Sequence, residues 1–296
     1  MCRLFGLHGG DHRTRACFWL LEAPRSLATQ SESQPDGFGI GTFEEDGTPD
    51  VERGVLAAWQ DEAFAHEAQT ECSRTYVVHL RYASTGPAAL RNSHPFVQDG
   101  RLFAHNGVVH GLAELEARLG DDRALVSGDT DSERVFALIT RETRRAGGDV
   151  HAGITAAVHW IGEHLPLFSL NFVLATPDEL WALRYPEGNE LWVLERRAGG
   201  AHGGRHLDET SEAGTLRVHS SDLAGSDAVV VATEPMDENP AWRLMEPREL
   251  LHVAPDLTCQ STLRVADEPA HPLTLEDLDA RAAASQTAEG TPAVAG

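Results

Sequence analysis

MCRLFGLH, residues 1–8, puts a cysteine directly behind the initiating methionine and at the head of a short apolar run that reads as an opening strand. With four cysteines in 296 residues, position 2 would hold one by chance about once in 74 chains, so the placement alone is a weak signal. Chemistry gives it weight. A small second residue permits removal of the methionine, which leaves a thiol and an α-amine of pKa about 7.7–8.0 on one residue. Such an amine can activate its own thiol, directly or through water. The competing reading is an ordinary buried thiol at the start of a strand.

Outward from this stretch, 13–30 has helix-like content and ends in a Ser/Gln/Pro loop over 31–35. FGIGTF (38–43) is the next strand candidate and runs into the turn residues EEDGTPD; YVVHLRY (76–82) and RLFA (101–104) are further strands, with a polar loop between them. Helices are predicted over 112–119, 131–145 and 149–164. The second of these carries a capping box, in which Thr130 caps the helix while Glu133 reaches back. Strands are then expected at 170–176, 180–185, 191–194, 228–233, 250–254 and 258–265, with a Gly/Ser/Asp-rich loop over 198–227. Many strands beside two helical blocks predict an α+β layered domain over 2–267. From 268 to 296 periodicity is lost, and that tail is expected to be disordered.

Composition narrows the chemistry. With 24 Lys+Arg against 46 Asp+Glu, a formal net charge of -22 repels nucleic acid and anionic membrane surfaces. No lysine occurs in the chain, which removes phosphate-loop, Schiff-base and lysine-base mechanisms. No apolar run approaches a membrane span and no leader-like segment opens the sequence, so a cytoplasmic location is expected. The cysteines form no CxxC pair, and the fifteen histidines include no HExxH, so neither a disulfide framework nor a metal site is expected. The 202–206 histidine cluster sits among glycines and reads as a surface loop. A metal-dependent hydrolase is the weaker rival that those histidines leave open.

Three further clusters carry chemistry. Arg81 closes the YVVHLRY strand ahead of Ser84, where a guanidinium fork suits a free carboxylate and equally a surface salt bridge. His105-Asn106-Gly107 follows RLFA, so that Asn106 and the Gly107 N–H can form an oxyanion hole or simply a turn. Asp129 to Glu133 crowds carboxylates at a helix start; capping accounts for Thr130 and Glu133 and leaves Asp131 to bind an ammonium group.

Taken in order, Met1-Cys2, Asp36-Gly37-Phe38-Gly39, Arg81-Tyr82-Ala83-Ser84, His94-Pro95-Phe96, His105-Asn106-Gly107 and Asp131-Ser132-Glu133 resemble the pattern of the class II glutamine amidotransferases. Ser84 departs from the threonine usual in large members, and His94 reads as structural. The resemblance implies the four-layer αββα sandwich of N-terminal-nucleophile hydrolases. It also implies Cys2 as nucleophile, Asn106 and Gly107 as oxyanion hole, Arg81 and Ser84 on the substrate α-carboxylate and Asp131 on the α-ammonium, with no cofactor. Nothing in the chain resembles the synthase or phosphoribosyl-binding domains of larger members. ATEPMDENPAW (232–242) and CRLFG look instead like the stand-alone γ-glutamyl amidohydrolases of ergothioneine biosynthesis. The expected substrate is thus glutamine or a γ-glutamyl amide, with a separate ammonia-accepting enzyme as an optional partner. The rival from another class is a non-catalytic γ-glutamyl-binding or interaction module on the same fold.

Overall fold

The computed structural model describes residues 2–82, 89–198 and 226–287, together with the backbone of 207–210 and 217–220. Strands in chain order are β1 (Arg3–His8), β2 (Phe38–Phe43), β3 (Pro49–Gly54), β4 (Thr75–Leu80), β5 (Phe96–Gln98), β6 (Arg101–Val109), β7 (Leu167–Ala175) and β8 (Leu180–Arg184). They continue as β9 (Trp192–Arg196), β10 (Leu207–Thr210), β11 (Arg217–Ser220), β12 (Ala228–Ala232), β13 (Arg243–Leu244), β14 (Glu249–Val253) and β15 (Cys259–Thr262). The α-helices are α1 (Leu27–Gln30), α2 (Glu62–Thr70), α3 (Leu112–Leu119), α4 (Asp131–Arg145), α5 (Val150–His164) and α6 (Ala280–Gln286).

Two antiparallel sheets stack. One has the order β13-β9-β12-β1-β4-β2-β3 and the other β15-β14-β8-β7-β6-β5, while β10 and β11 form a separate hairpin. The period-2 alternation of each strand decides which layer a side chain joins. In β1, Leu4 enters the core between the sheets, whereas Phe5 and Leu7 point outward. Val77 of β4, Leu102 and Ala104 of β6, and Val173 of β7 share that middle core. Phe103 and Phe172 face away and pack under α3, α4 and α5 with Phe136, Ile154 and Ile161. On the opposite flank, Trp19, Leu27 and Phe64 cover the outer face of the first sheet. The result is helix, sheet, sheet, helix: the expected α+β αββα sandwich.

Most predicted elements lie where periodicity put them; the departures have local causes. The 13–30 helix does not form as one piece, because Pro24 lacks an N–H and turns Ala23 out of helical geometry (ψ 150°). A π-helical turn over Phe18–Glu22 and the short α1, capped by Ser26, stand in its place. The turn after β2 returns as β3, and α2 was given no reading from sequence. β6 runs on through His105-Asn106-Gly107 to Val109 and does not end at Ala104. Asn106 and Gly107 sit in register opposite Asn171 and Leu170 of β7, so Asn-Gly is a strand interior there and not a turn. Gly107 is required at that place, since a Cβ would collide with the Ser169 carbonyl oxygen.

Part of the tail expected to be disordered has regular structure. Thr274 and Asp277 form a reciprocal cap, Asp279 caps α6, and Leu278 and Ala282 pack against Val108. These short-range caps and two apolar contacts order a stretch with no sustained periodicity. Residues 288–296 lie outside the described residues, as does the 202–206 histidine cluster.

Candidate active site

Cys2 precedes β1, and its thiol rests on the chain that leaves β4. Arg3 pairs with Leu80, so the antiparallel register brings Cys2 beside Arg81 and Tyr82. Cys2 Sγ lies 3.1 Å from the Tyr82 carbonyl oxygen and accepts from the Tyr82 N–H at the same 3.1 Å. Burial pushes the thiol pKa up, while the Tyr82 backbone hydrogen bond and the positive charges of Arg81 and Arg3 pull it down. A thiol raised in this way needs a nearby base to react at neutral pH.

Asn106 reaches Cys2 because β6 alternates. Leu102, Ala104 and Asn106 are two residues apart and share the side facing the first sheet. Asn106 Nδ2 donates to the Cys2 carbonyl oxygen at 2.9 Å. An amide nitrogen carries two hydrogens, so the bond to the Cys2 carbonyl oxygen uses one and leaves the other for a second acceptor.

His105 faces the other way, where its Nδ1 lies 2.9 Å from Ser132 Oγ at the start of α4. That helix begins with Asp131, whose Oδ2 accepts from the Val109 N–H at 2.9 Å. The register shift between Val108 and Val109 turns this N–H out of the ladder and toward the carboxylate. Thr130 caps α4 by accepting from Glu133 N–H at 3.3 Å. Glu133 does not complete the expected capping box: its carboxylate accepts from Ser127 and Gly128 N–H at 3.0 and 2.6 Å instead, fastening the preceding loop.

Cys2, Arg81, Gly107 and Asp131 line one narrow cleft with Tyr82, Asn92, Thr130 and Ser132. Burial lowers the Arg81 pKa, and the charges of Cys2 and Asp36 raise it. Ser84, the remaining predicted ligand, lies outside the described residues. Three imidazoles, His79, His94 and His105, also line the cleft; the sequence reading quoted His94 and His105 within motifs without giving them a role in the site, and it passed over His79. His79 was legible in principle: Val77, His79 and Arg81 alternate along β4, so the histidine faces the same way as the arginine. His94, read as structural, lies against His79 with ring centroids 4.2 Å apart and planes tilted by 45°, and meets Phe96 edge-on. Gly39 makes room for it, since a Cβ there would collide with the His94 carbonyl oxygen. Burial drives the His79 pKa down to about 3, and His94 falls well below the usual imidazole value for the same reason. His105 is lowered by burial against the opposing pull of Asp131. Burial thus favours the neutral form of the imidazoles in a cleft that Arg81 and Asp131 also line.

Larger hollows exist elsewhere, including one between Arg13, Glu44, Asp46, Arg74 and Asp178; it holds no cysteine, amide or imidazole. Among the described residues no group of three His, Cys, Asp or Glu side chains is placed to hold a metal ion, and no helix is long and apolar enough to cross a membrane.

The family model of the class-II glutamine amidotransferases matches residues 1–272. The γ-glutamyl-hercynylcysteine sulfoxide hydrolase of Mycolicibacterium smegmatis is 27% identical over 245 residues, covering 79% of this chain and 88% of its own. A glutamine aminotransferase class-II domain protein from Silicibacter pomeroyi superposes with a TM-score of 0.56 at 18% identity, covering 88% of this chain and 98% of its own. The glutamine phosphoribosylpyrophosphate amidotransferase of B. subtilis superposes with a TM-score of 0.61 at 18% identity, over 90% of this chain but 50% of its own. At such identities the two solved structures speak for the fold.

Proposed function

We propose, from the premise that the chain belongs to the class II glutamine amidotransferases, that Cys2 becomes the N-terminal residue and cleaves the γ-amide of glutamine or of a γ-glutamyl conjugate. Members of the family are enzymes. The observation that carries the reading is the convergence of Cys2, Arg81, Gly107 and Asp131, which are far apart in the chain, on one cleft, with Asn106 bonded to the Cys2 carbonyl oxygen beside it.

The chemistry follows from what each group can do. After Met1 is removed, the α-amine of Cys2 takes the thiol proton, which offsets the desolvation that raises the thiol pKa. The thiolate adds to the γ-carbonyl carbon, and charge gathers on the carbonyl oxygen. Asn106 Nδ2 and the Gly107 N–H stabilise that oxygen. The tetrahedral species collapses as the C–N bond breaks, and the terminal ammonium returns its proton to the departing amine or ammonia. Water then adds to the thioester and releases glutamate and the thiol. Arg81 grips the α-carboxylate together with Ser84, and Asp131 holds the α-ammonium. A carboxylate offers about four acceptor positions, so the Val109 N–H does not exhaust Asp131.

The match of most of the chain to most of a γ-glutamyl hydrolase supports a hydrolase acting on a γ-glutamyl conjugate. A separate ammonia-consuming partner would matter only where glutamine itself is the substrate. No observation favours the non-catalytic binding module. The deciding experiment is release of glutamate from glutamine and from a panel of γ-glutamyl amides by the purified protein. Turnover of at least one of them is expected, and binding without turnover across the panel would overturn the proposal.

A further inference from the structure

The start of α4 is fastened to the first sheet as well as to β6. Asn92, fully buried and lining the cleft, accepts from the Asp129 N–H through Oδ1 at 2.9 Å and donates from Nδ2 to Asp129 Oδ2 at 3.2 Å. Both ends of its amide thus bond one residue, two positions before Asp131. The backbones approach closely there, since a Cβ on Gly128 would collide with Asn92 Oδ1 and with the Arg91 carbonyl oxygen. On its other side the Asn92 segment rests on the first sheet: the His94 carbonyl oxygen lies against Gly39 of β2, and Arg53 of β3 donates from Nε to the Pro95 carbonyl oxygen at 3.2 Å. Arg91 adds an ion pair to Asp129 at 3.0 Å, but both side chains are half-exposed and such a pair contributes little. Cys2 and Arg81 adjoin β1 and β4 of that same sheet. Asn92 is therefore a buried tie between the sheet that positions Cys2 and Arg81 and the helix start that carries Asp131.

We propose that Asn92 is a positioning residue, which sets the distance of Asp131 from Cys2 and Arg81 and through it the preference for substrates with a free α-ammonium. The inference rests on the roles given to Cys2, Arg81 and Asp131 above. In that reading the thiol fixes the γ-carbonyl carbon and the guanidinium fixes the α-carboxylate, so the α-carbon between them has one place. The carboxylate of Asp131 must come to it. A charged hydrogen bond spans about 2.7–2.9 Å, and a helix start released from the first sheet by even about 1 Å leaves that range. A substrate without the α-amine makes no bond to Asp131 and gains nothing from the tie.

The test compares γ-glutamyl-p-nitroanilide with glutaryl-p-nitroanilide, which differ only in the α-amine, using the full-length protein. Wild type is expected to favour the first by a kcat/KM ratio of about tenfold or more, the lower end for a charged hydrogen bond. Asn92→Ala should cut that ratio by about threefold to tenfold, the range of one neutral hydrogen bond, chiefly by slowing the γ-glutamyl substrate. Loss of folded protein slows both substrates alike and leaves the ratio untouched. A wild-type ratio in Asn92→Ala would overturn the inference. Gly128→Ala, which presses on the same junction, should move the ratio in the same direction, and it decides in the same way where Asn92→Ala yields no soluble enzyme. Asp131→Asn separates the inference from its premise: it should bring the ratio close to one, and a ratio unchanged there would overturn the α-ammonium assignment itself. Absence of turnover of these substrates and of glutamine by wild type would overturn the amidohydrolase reading.

Discussion

The Asn106 amide and the Cys2 carbonyl oxygen are joined across the two sheets by a 2.9 Å hydrogen bond. The bond ties the backbone of the proposed nucleophile to the strand that carries the proposed oxyanion donors, so in the proposed mechanism attack and stabilisation share one rigid reference.

Asn106→Ala removes a donor that works in the transition state and one anchor of Cys2. kcat should fall about 10²–10³-fold with a small change in KM. Steady-state kinetics on the best substrate of the panel decide it; a variant with wild-type kcat takes Asn106 out of the site.

Gly107→Ala tests the strand-interior reading of the same motif. Its methyl would meet the Ser169 carbonyl oxygen in β7, which is backbone and cannot swing away. A loss of about 1–3 kcal/mol in unfolding free energy is expected from the overpacking, read by urea denaturation. Stability equal to wild type would place Gly107 in a loop and not in β6.

The contrast between these two residues and their sequence context shows what was legible. The α+β class followed from period-2 strands and three predicted helices, each a local signal, while the four-layer αββα order was implied by the family resemblance. Arg81, Asn106, Gly107 and Asp131 were singled out by the chemistry each could do and by the ordered motifs they belong to, and Arg81, Gly107 and Asp131 meet in one cleft. The extension of β6 through Asn-Gly was not legible, because β7, sixty residues away in the chain, supplies the pairing that overrides the turn preference. The contact of His79 with His94 and that of Arg281 with Asp36 were not legible for the same reason: they exist only where distant elements meet.

Arg81→Lys should raise KM more than it lowers kcat, since an ammonium cannot reproduce the paired hydrogen bonds of a guanidinium on a carboxylate. Substrates acetylated on the α-amine or amidated on the α-carboxylate should lose activity steeply for the same reason. Equal rates on blocked and free substrates would remove Arg81 and Asp131 from recognition.

The buried imidazoles predict an acid limit to stability. His79, with its pKa lowered to about 3, and His8, lowered to about 4, bind fewer protons folded than unfolded between those values and the ordinary 6.5; His94 is lowered in the same sense. Their contribution is complete above pH 6.5 and is lost as pH falls through the folded values. Tm should therefore decline from pH 6.5 to 4.5, before ordinary carboxylates titrate, and His94→Phe should flatten that slope. A Tm that is constant over the window in wild type would contradict the neutral-imidazole cleft.

The central claim, that Cys2 at a processed N-terminus is the nucleophile, is tested most directly by intact and peptide mass spectrometry after inactivation with a glutamine-mimicking diazoketone. The account predicts a chain lacking Met1 that carries one equivalent of label on Cys2, with Cys17, Cys72 and Cys259 unmodified. Full activity in protein that retains Met1, or inactivation accompanied by label on another cysteine, would contradict it.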